Sequence, residues 1–126
     1  MRALMLILVA AAAASCSRPA PPPGADLAQT IAGRVAGPPQ TCVETNTSEN
    51  LHYIDPQTVA YGYGATIWIN HLPGPCPGLQ ELSTLIVDAQ DGTRYCRGNR
   101  IRGLEPGAII AGPTCNLGDW VPYRKQ

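Results

Sequence analysis

From Gly33 onward the chain runs in short apolar bursts broken by glycine and proline, a rhythm that leaves little room for a long helix. Val43 to Thr45 and Leu51 to Ile54 read as short strands, with the polar stretch Asn46 to Asn50 between them and a turn at Asp55-Pro56. Thr58 to Tyr61 and Thr66 to Asn70 predict a hairpin around Gly62-Tyr63-Gly64. In its second strand Ile67 and Ile69 share one face, with Trp68 and Asn70 on the other. The prolines of His71 to Leu79 (HLPGPCPGL) exclude a regular interior and predict a rigid loop. Ser83 to Ala89 is strongly β-forming, and Asp91-Gly92 predicts a two-residue hairpin returning through Thr93 to Arg97. Beyond a turn or bulge at Gly98-Asn99, strands are expected at Arg100 to Leu104, Ala108 to Ala111 and Trp120 to Tyr123. In the last of these Pro122 is tolerable only at a sheet edge. Strands at this spacing predict an all-β fold, a small sandwich or barrel of about six or seven short strands.

The N-terminus has a different pattern. MRALMLILVAAAAASC places Arg2 before a short apolar run, Ala3 to Ala14, followed by small residues and a cysteine. That is the order of an export signal. The run falls short of the roughly 20 apolar residues of a membrane-spanning helix. Ala13-Ala14-Ser15-Cys16 resembles the lipobox of bacterial lipoproteins, although Ala13 stands where leucine is usual. The resemblance implies cleavage after Ser15 and a diacylglyceryl thioether on Cys16, and two acyl chains suffice for stable anchoring. Ser17, rather than aspartate, after the cysteine implies sorting to the outer membrane, facing the periplasm. The alternative is an ordinary signal cut after Ala12 or Ala14 that releases a secreted or periplasmic protein. Ser17 to Gly24 (SRPAPPPG) favours polyproline II, a semi-rigid spacer. Asp26 to Ala32 is long enough for one helical turn. The expected division is therefore signal 1–15, lipidated proline-rich tether 16–32 and β domain 33–126.

Composition changes this picture in two ways. Nine basic and nine acidic residues balance, which argues against a dedicated nucleic-acid binder. With no phenylalanine, Trp68, Trp120 and five tyrosines must fill the core with the aliphatics. Setting Cys16 aside leaves Cys42, Cys76, Cys96 and Cys115, an even set that in an exported chain reads as two disulfides. Zinc is the competing reading, with His52 and His71 as further ligands, but the close ligand spacing of structural zinc sites is absent. No cofactor is expected. Three connectivities are open to four cysteines. The expected one is nested, Cys42–Cys115 around Cys76–Cys96, because domain ends commonly lie together.

No catalytic constellation stands out. His52 and His71 lack a recognisable nucleophile motif, and Asp88 and Asp91 read as a strand end and a turn. The charge cluster that stands out is Arg94, Arg97, Arg100 and Arg102. Arg100 and Arg102 share one strand face opposite Ile101, and Arg94 joins them if the register survives Gly98-Asn99. With the His71 loop, this stripe is the expected contact surface for an envelope protein, an anionic glycan or a lipid headgroup. The plainer reading is a charged edge strand that resists aggregation. A non-enzymatic role is the expectation, and the alternative is an inhibitor or small hydrolase acting in cell-wall metabolism.

Gly33-Arg34, Cys42-Val43, Asn70 to Leu79, Tyr95 to Gly98 (YCRG) and Cys115 to Tyr123 (CNLGDWVPY) resemble a family of small uncharacterised alphaproteobacterial four-cysteine lipoproteins. The resemblance spans nearly the whole domain and implies the location and the four-cysteine architecture, but no activity. Membrane-bound lysozyme inhibitors are similar in being small bridged β-barrel lipoproteins. Their serine-glycine inhibitory loop has no counterpart here, so no residue roles transfer.

Overall fold

The computed structural model describes residues 25–126; the stretch expected to be an export signal, the expected lipidation site Cys16 and residues 17–24 of the proline-rich stretch lie outside the described residues. One helix, α1 (Ala25–Ile31), precedes ten strands: β1 (Arg34–Ala36), β2 (Cys42–Glu44), β3 (Leu51–Asp55), β4 (Thr58–Tyr61) and β5 (Thr66–His71), followed by β6 (Thr84–Asp88), β7 (Arg94–Cys96), β8 (Arg100–Leu104), β9 (Cys115–Asn116) and β10 (Trp120–Lys125). Among these residues no helix is long and apolar enough to cross a membrane.

The fold is nearly all β, with no closed barrel. A five-stranded antiparallel sheet, ordered β1-β10-β5-β4-β3, carries apolar side chains on both faces. On one face Ala60, Ile67 and Ile69 pack with Ile54 and Tyr123 under Leu27 and Ile31 of α1. Part of the stretch expected to be tether is thus folded onto the sheet. On the other face Val59, Tyr61 and Trp120 meet Val43, Ile101, Leu72 and Leu117. These come from two smaller sheets, β2-β7 and β6-β8-β9, and from the loops. The period-2 division of β5, Ile67 and Ile69 against Trp68 and Asn70, therefore separates two cores rather than core from solvent.

Pro122 sits in β10, which is an inner strand, not an edge. Its ring nitrogen faces the side where β1 has ended and Gly37 to Pro39 leave the ladder before Gln40 rejoins at Trp120. The Pro122 carbonyl still accepts from the Gly37 N–H at 2.7 Å. The missing donor falls at a break in the pairing, which is how an inner strand accommodates proline.

The Asp91-Gly92 hairpin does not form. β6 pairs with β8, and β7 pairs with β2. Gly92 makes a turn with φ of 70°, but the Asp91 carboxylate accepts the Thr93 and Arg94 N–H groups that a two-residue ladder would use. Ala108 to Ala111 is likewise not a strand. The Ala108 N–H closes a turn onto the Glu105 carbonyl, and the Gly112 N–H returns to Gly103. Ile109 and Ile110 are left 96% and 81% exposed on an excursion with no neighbouring strand.

The disulfides are Cys42–Cys96 and Cys76–Cys115, interlaced rather than nested. The ends of the domain do lie together, but hydrogen bonds between β1 and β10 join them. That leaves Cys42 opposite Cys96 in the β2–β7 register. Cys76, fully buried, reaches Cys115 at the start of β9.

Two close approaches lock the layers. A side chain on Gly103 would collide with the Gly78 carbonyl. Asn70, fully buried, donates from Nδ2 to the Gly118 carbonyl and accepts from the Gly118 N–H, both at 2.8 Å. That amide fixes the turn that feeds β10.

Candidate functional site

The expected arginine stripe divides between two sheets. Arg94 lies on β7 and Arg97 on the turn after it, whereas Arg100 and Arg102 share one face of β8 opposite fully buried Ile101. Gly98 (φ 84°) and Asn99 make the turn between them. The Asn99 side chain accepts the Cys96 N–H at 2.7 Å, and the Asn99 carbonyl accepts from Leu117. These bonds hold the two arginine-bearing strands at a fixed offset.

Every one of these arginines has a carboxylate beside it. Arg94 forms a two-pronged pair with Asp91, from Nε at 3.0 Å and Nη2 at 2.9 Å. Arg97 lies 3.2 Å from Asp119. Asp88 serves both Arg102 at 3.4 Å and Arg100 at 3.8 Å. The Thr93 N–H, followed by the Arg94 guanidinium, holds the Asp91 carboxyl down to about 2. Four guanidinium groups against three carboxylates leave a single positive charge, so the surface is a mosaic of both signs. Two adjoining hollows of about 280 and 250 Å³ run along it, sharing Gln90, Gly98 and Asn99. All these pairs are well exposed, so solvent and salt screen them and they add little to stability. They orient the guanidinium groups more than they hold the fold.

His71 is not part of this surface. It closes β5 in the large sheet, where Nδ1 lies 3.3 Å from the Thr58 hydroxyl. The loop after it is pinned to the β3–β4 turn by bonds from Leu72 to Gln57 and from Cys76 to Pro56. His52 has a closer partner: its Nδ1 stands 2.6 Å from the Tyr63 hydroxyl, and the two rings are 3.9 Å apart. His52 Nε2 is buried without a well-formed hydrogen bond. Burial lowers the imidazole below its usual range, and the Gly62 carbonyl opposes that shift. Among the described residues no group of three or more histidine, cysteine and acidic side chains is placed to hold a metal ion.

Neither the His52–Tyr63 contact nor the shallow cleft of about 390 Å³ beside Trp68 was predicted from the sequence. Tyr63 sits in a glycine-flanked turn that reads only as a connection. Trp68 sits in a strand whose alternation reads as packing.

Comparison of the chain with protein-family models, with curated proteins and with solved structures returned no match.

Proposed function

We propose that this chain is a non-enzymatic binding module of the cell envelope, exported and anchored through lipid on Cys16, whose contact surface is the arginine–carboxylate mosaic of β7 and β8. The observation that carries the reading is the cluster of four exposed guanidinium groups, each with an aspartate within 4 Å, on a body closed by two disulfides. Such a surface suits a macromolecular partner that presents both charge signs, because paired charges contribute specificity and orientation more than bulk attraction. The two disulfides support an oxidising compartment. The hydrolase alternative needs a carboxylate beside a histidine, whereas His71 contacts Thr58 and His52 contacts Tyr63.

Replacing Arg100 and Arg102 with serine tests the surface. In cross-linked envelope extracts the double variant should lose the captured partner while its thermal midpoint stays unchanged. Undiminished capture overturns the assignment. The intact mass of the mature chain, compared with a Cys16→Ala variant, tests the anchor.

A further inference from the structure

We propose that the Trp68 cleft, which adjoins the arginine mosaic at Arg94, is a binding site for an uncharged saccharide, a reading independent of how the chain is anchored. The cleft lies where the β2–β7 ribbon meets the large sheet, and Gln40, Cys42, Val43, Glu44, Trp68 and Arg94 line it. The ribbon's register builds one wall. Cys42 faces Cys96, and Glu44 faces Arg94, so these four share a face. The alternate pair, Val43 and Tyr95, turns into the core, where Tyr95 meets Tyr61 edge-on. The disulfide therefore fixes the wall that carries Glu44 and Arg94.

The two tryptophans share one face of the large sheet, since Trp120 stands opposite Asn70 and Pro122 opposite Trp68. Trp120 is fully buried, whereas Trp68 keeps part of its surface at the cleft. A partly uncovered indole edged by polar groups fits a ligand with apolar C–H patches and a rim of hydroxyls. Glu44, exposed and free of any ion pair among the described residues, is an acceptor for hydroxyls. Arg94 commits Nε and Nη2 to Asp91 and retains Nη1 as a donor. Gln40 is engaged through its backbone with Trp120, and its exposed amide can both donate and accept.

Charge selects the ligand class. Asp91 already matches the Arg94 charge, so unpaired Glu44 leaves the cleft negative. An anionic ligand would meet repulsion, whereas a neutral sugar would not. An open cleft of about 390 Å³ accommodates a short run of sugar rings rather than an enclosed cofactor.

The two tryptophans also supply the probe. Because Trp120 is fully buried, acrylamide quenching of the disulfide-intact protein reports mainly on Trp68. Chitotetraose or cellotetraose should protect that fluorescence saturably, with Kd of about 1 mM or tighter. Glu44→Gln, an exposed change that leaves the thermal midpoint in place, should weaken the protection about tenfold, the loss of one charge-assisted hydrogen bond. Trigalacturonate should not protect. The proposal is overturned if neither neutral tetrasaccharide protects, if Glu44→Gln leaves the affinity unchanged, or if trigalacturonate or an acidic peptide protects as well as the neutral sugars.

Discussion

Replacing Asn70 with leucine is expected to be among the most damaging single changes available in this domain. The two side chains share a branched heavy-atom skeleton, so the change removes the hydrogen bonds while the bulkier methyls add some overpacking. Asn70 is fully buried, and its amide is the partner of both the N–H and the C=O of Gly118. Leucine would leave both groups unpaired, at about 1–3 kcal/mol each, for a total of about 2–6 kcal/mol. In a domain of this size that lowers Tm by at least about 8 °C. Equilibrium urea unfolding with both disulfides intact, followed through tryptophan fluorescence, measures the loss directly. Asn70→Asp refines the test. At neutral pH its carboxylate can still accept from the Gly118 N–H but opposes the Gly118 carbonyl. When protonated it regains a donor. Burial and the carbonyl raise the folded pKa of that aspartate above its unfolded value of about 3.9. Its favourable state is thus fully present below the unfolded value and is lost as pH rises through the folded one. The gap between Asn70→Asp and the parent should therefore narrow in acid. A loss under about 1 kcal/mol for Asn70→Leu, or a pH-independent gap for Asn70→Asp, refutes the reasoning.

Non-reducing peptide mapping should recover Cys42 with Cys96 and Cys76 with Cys115, and a Cys42–Cys115 peptide would contradict the fold. The bridges span 54 and 39 positions, so loop entropy assigns each about 4 kcal/mol. The Cys76→Ala/Cys115→Ala pair should cost more than Cys42→Ala/Cys96→Ala in urea unfolding, because Cys76 is also part of the main core. His52 is depressed in the folded state, so the unfolded chain takes up its proton first as pH falls through 6.5. Stability carried by neutral His52 should be complete above that value and decline towards the lower folded value, and His52→Gln should flatten Tm against pH across that window. Ile109→Ser with Ile110→Ser should change stability by less than about 0.5 kcal/mol per site in the same urea assay, since neither side chain is covered.

The β3–β4–β5 part of the large sheet was legible because those strands follow one another in the chain, whereas β1, at the opposite end of the domain's sequence from its partner β10, was not predicted. The β4–β5 hairpin forms where predicted, from Thr58 facing His71 to Tyr61 facing Trp68. β8 matches Arg100 to Leu104, with Ile101 inward and its arginines outward. What failed depended on partners distant in sequence. The Asp-Gly signal specifies a turn but not which strands pair across it, and here the Asp91 side chain consumes the amides. Ala108 to Ala111 has β-forming residues but no strand beside it. The nested disulfides followed from the proximity of the domain ends, a correct premise satisfied by the β1–β10 ladder instead. The arginine cluster was visible, but its neutralisation was not: Asp119 reaches Arg97 from another part of the chain, and Asp88 serves both Arg100 and Arg102 across the β6–β8 pairing.

The interlaced cysteines also determine how the molecule would respond to a protease. A single cut at any peptide bond between Cys42 and Cys115 leaves both fragments on one covalent body, because one bridge or the other spans the break. Residues N-terminal to Cys42 have no such insurance. Cleavage within 37–41 would leave α1 and β1 attached only by non-covalent contacts, the β1–β10 ladder, the Arg34 hydrogen bonds and the packing of Leu27 and Ile31 among them. That stretch is Gly-Pro-Pro-Gln-Thr, and its prolines lack the N–H groups that extended binding in a protease cleft would use. If the chain is tethered by its N-terminus, this short segment decides whether a nicked domain stays at the membrane or is shed.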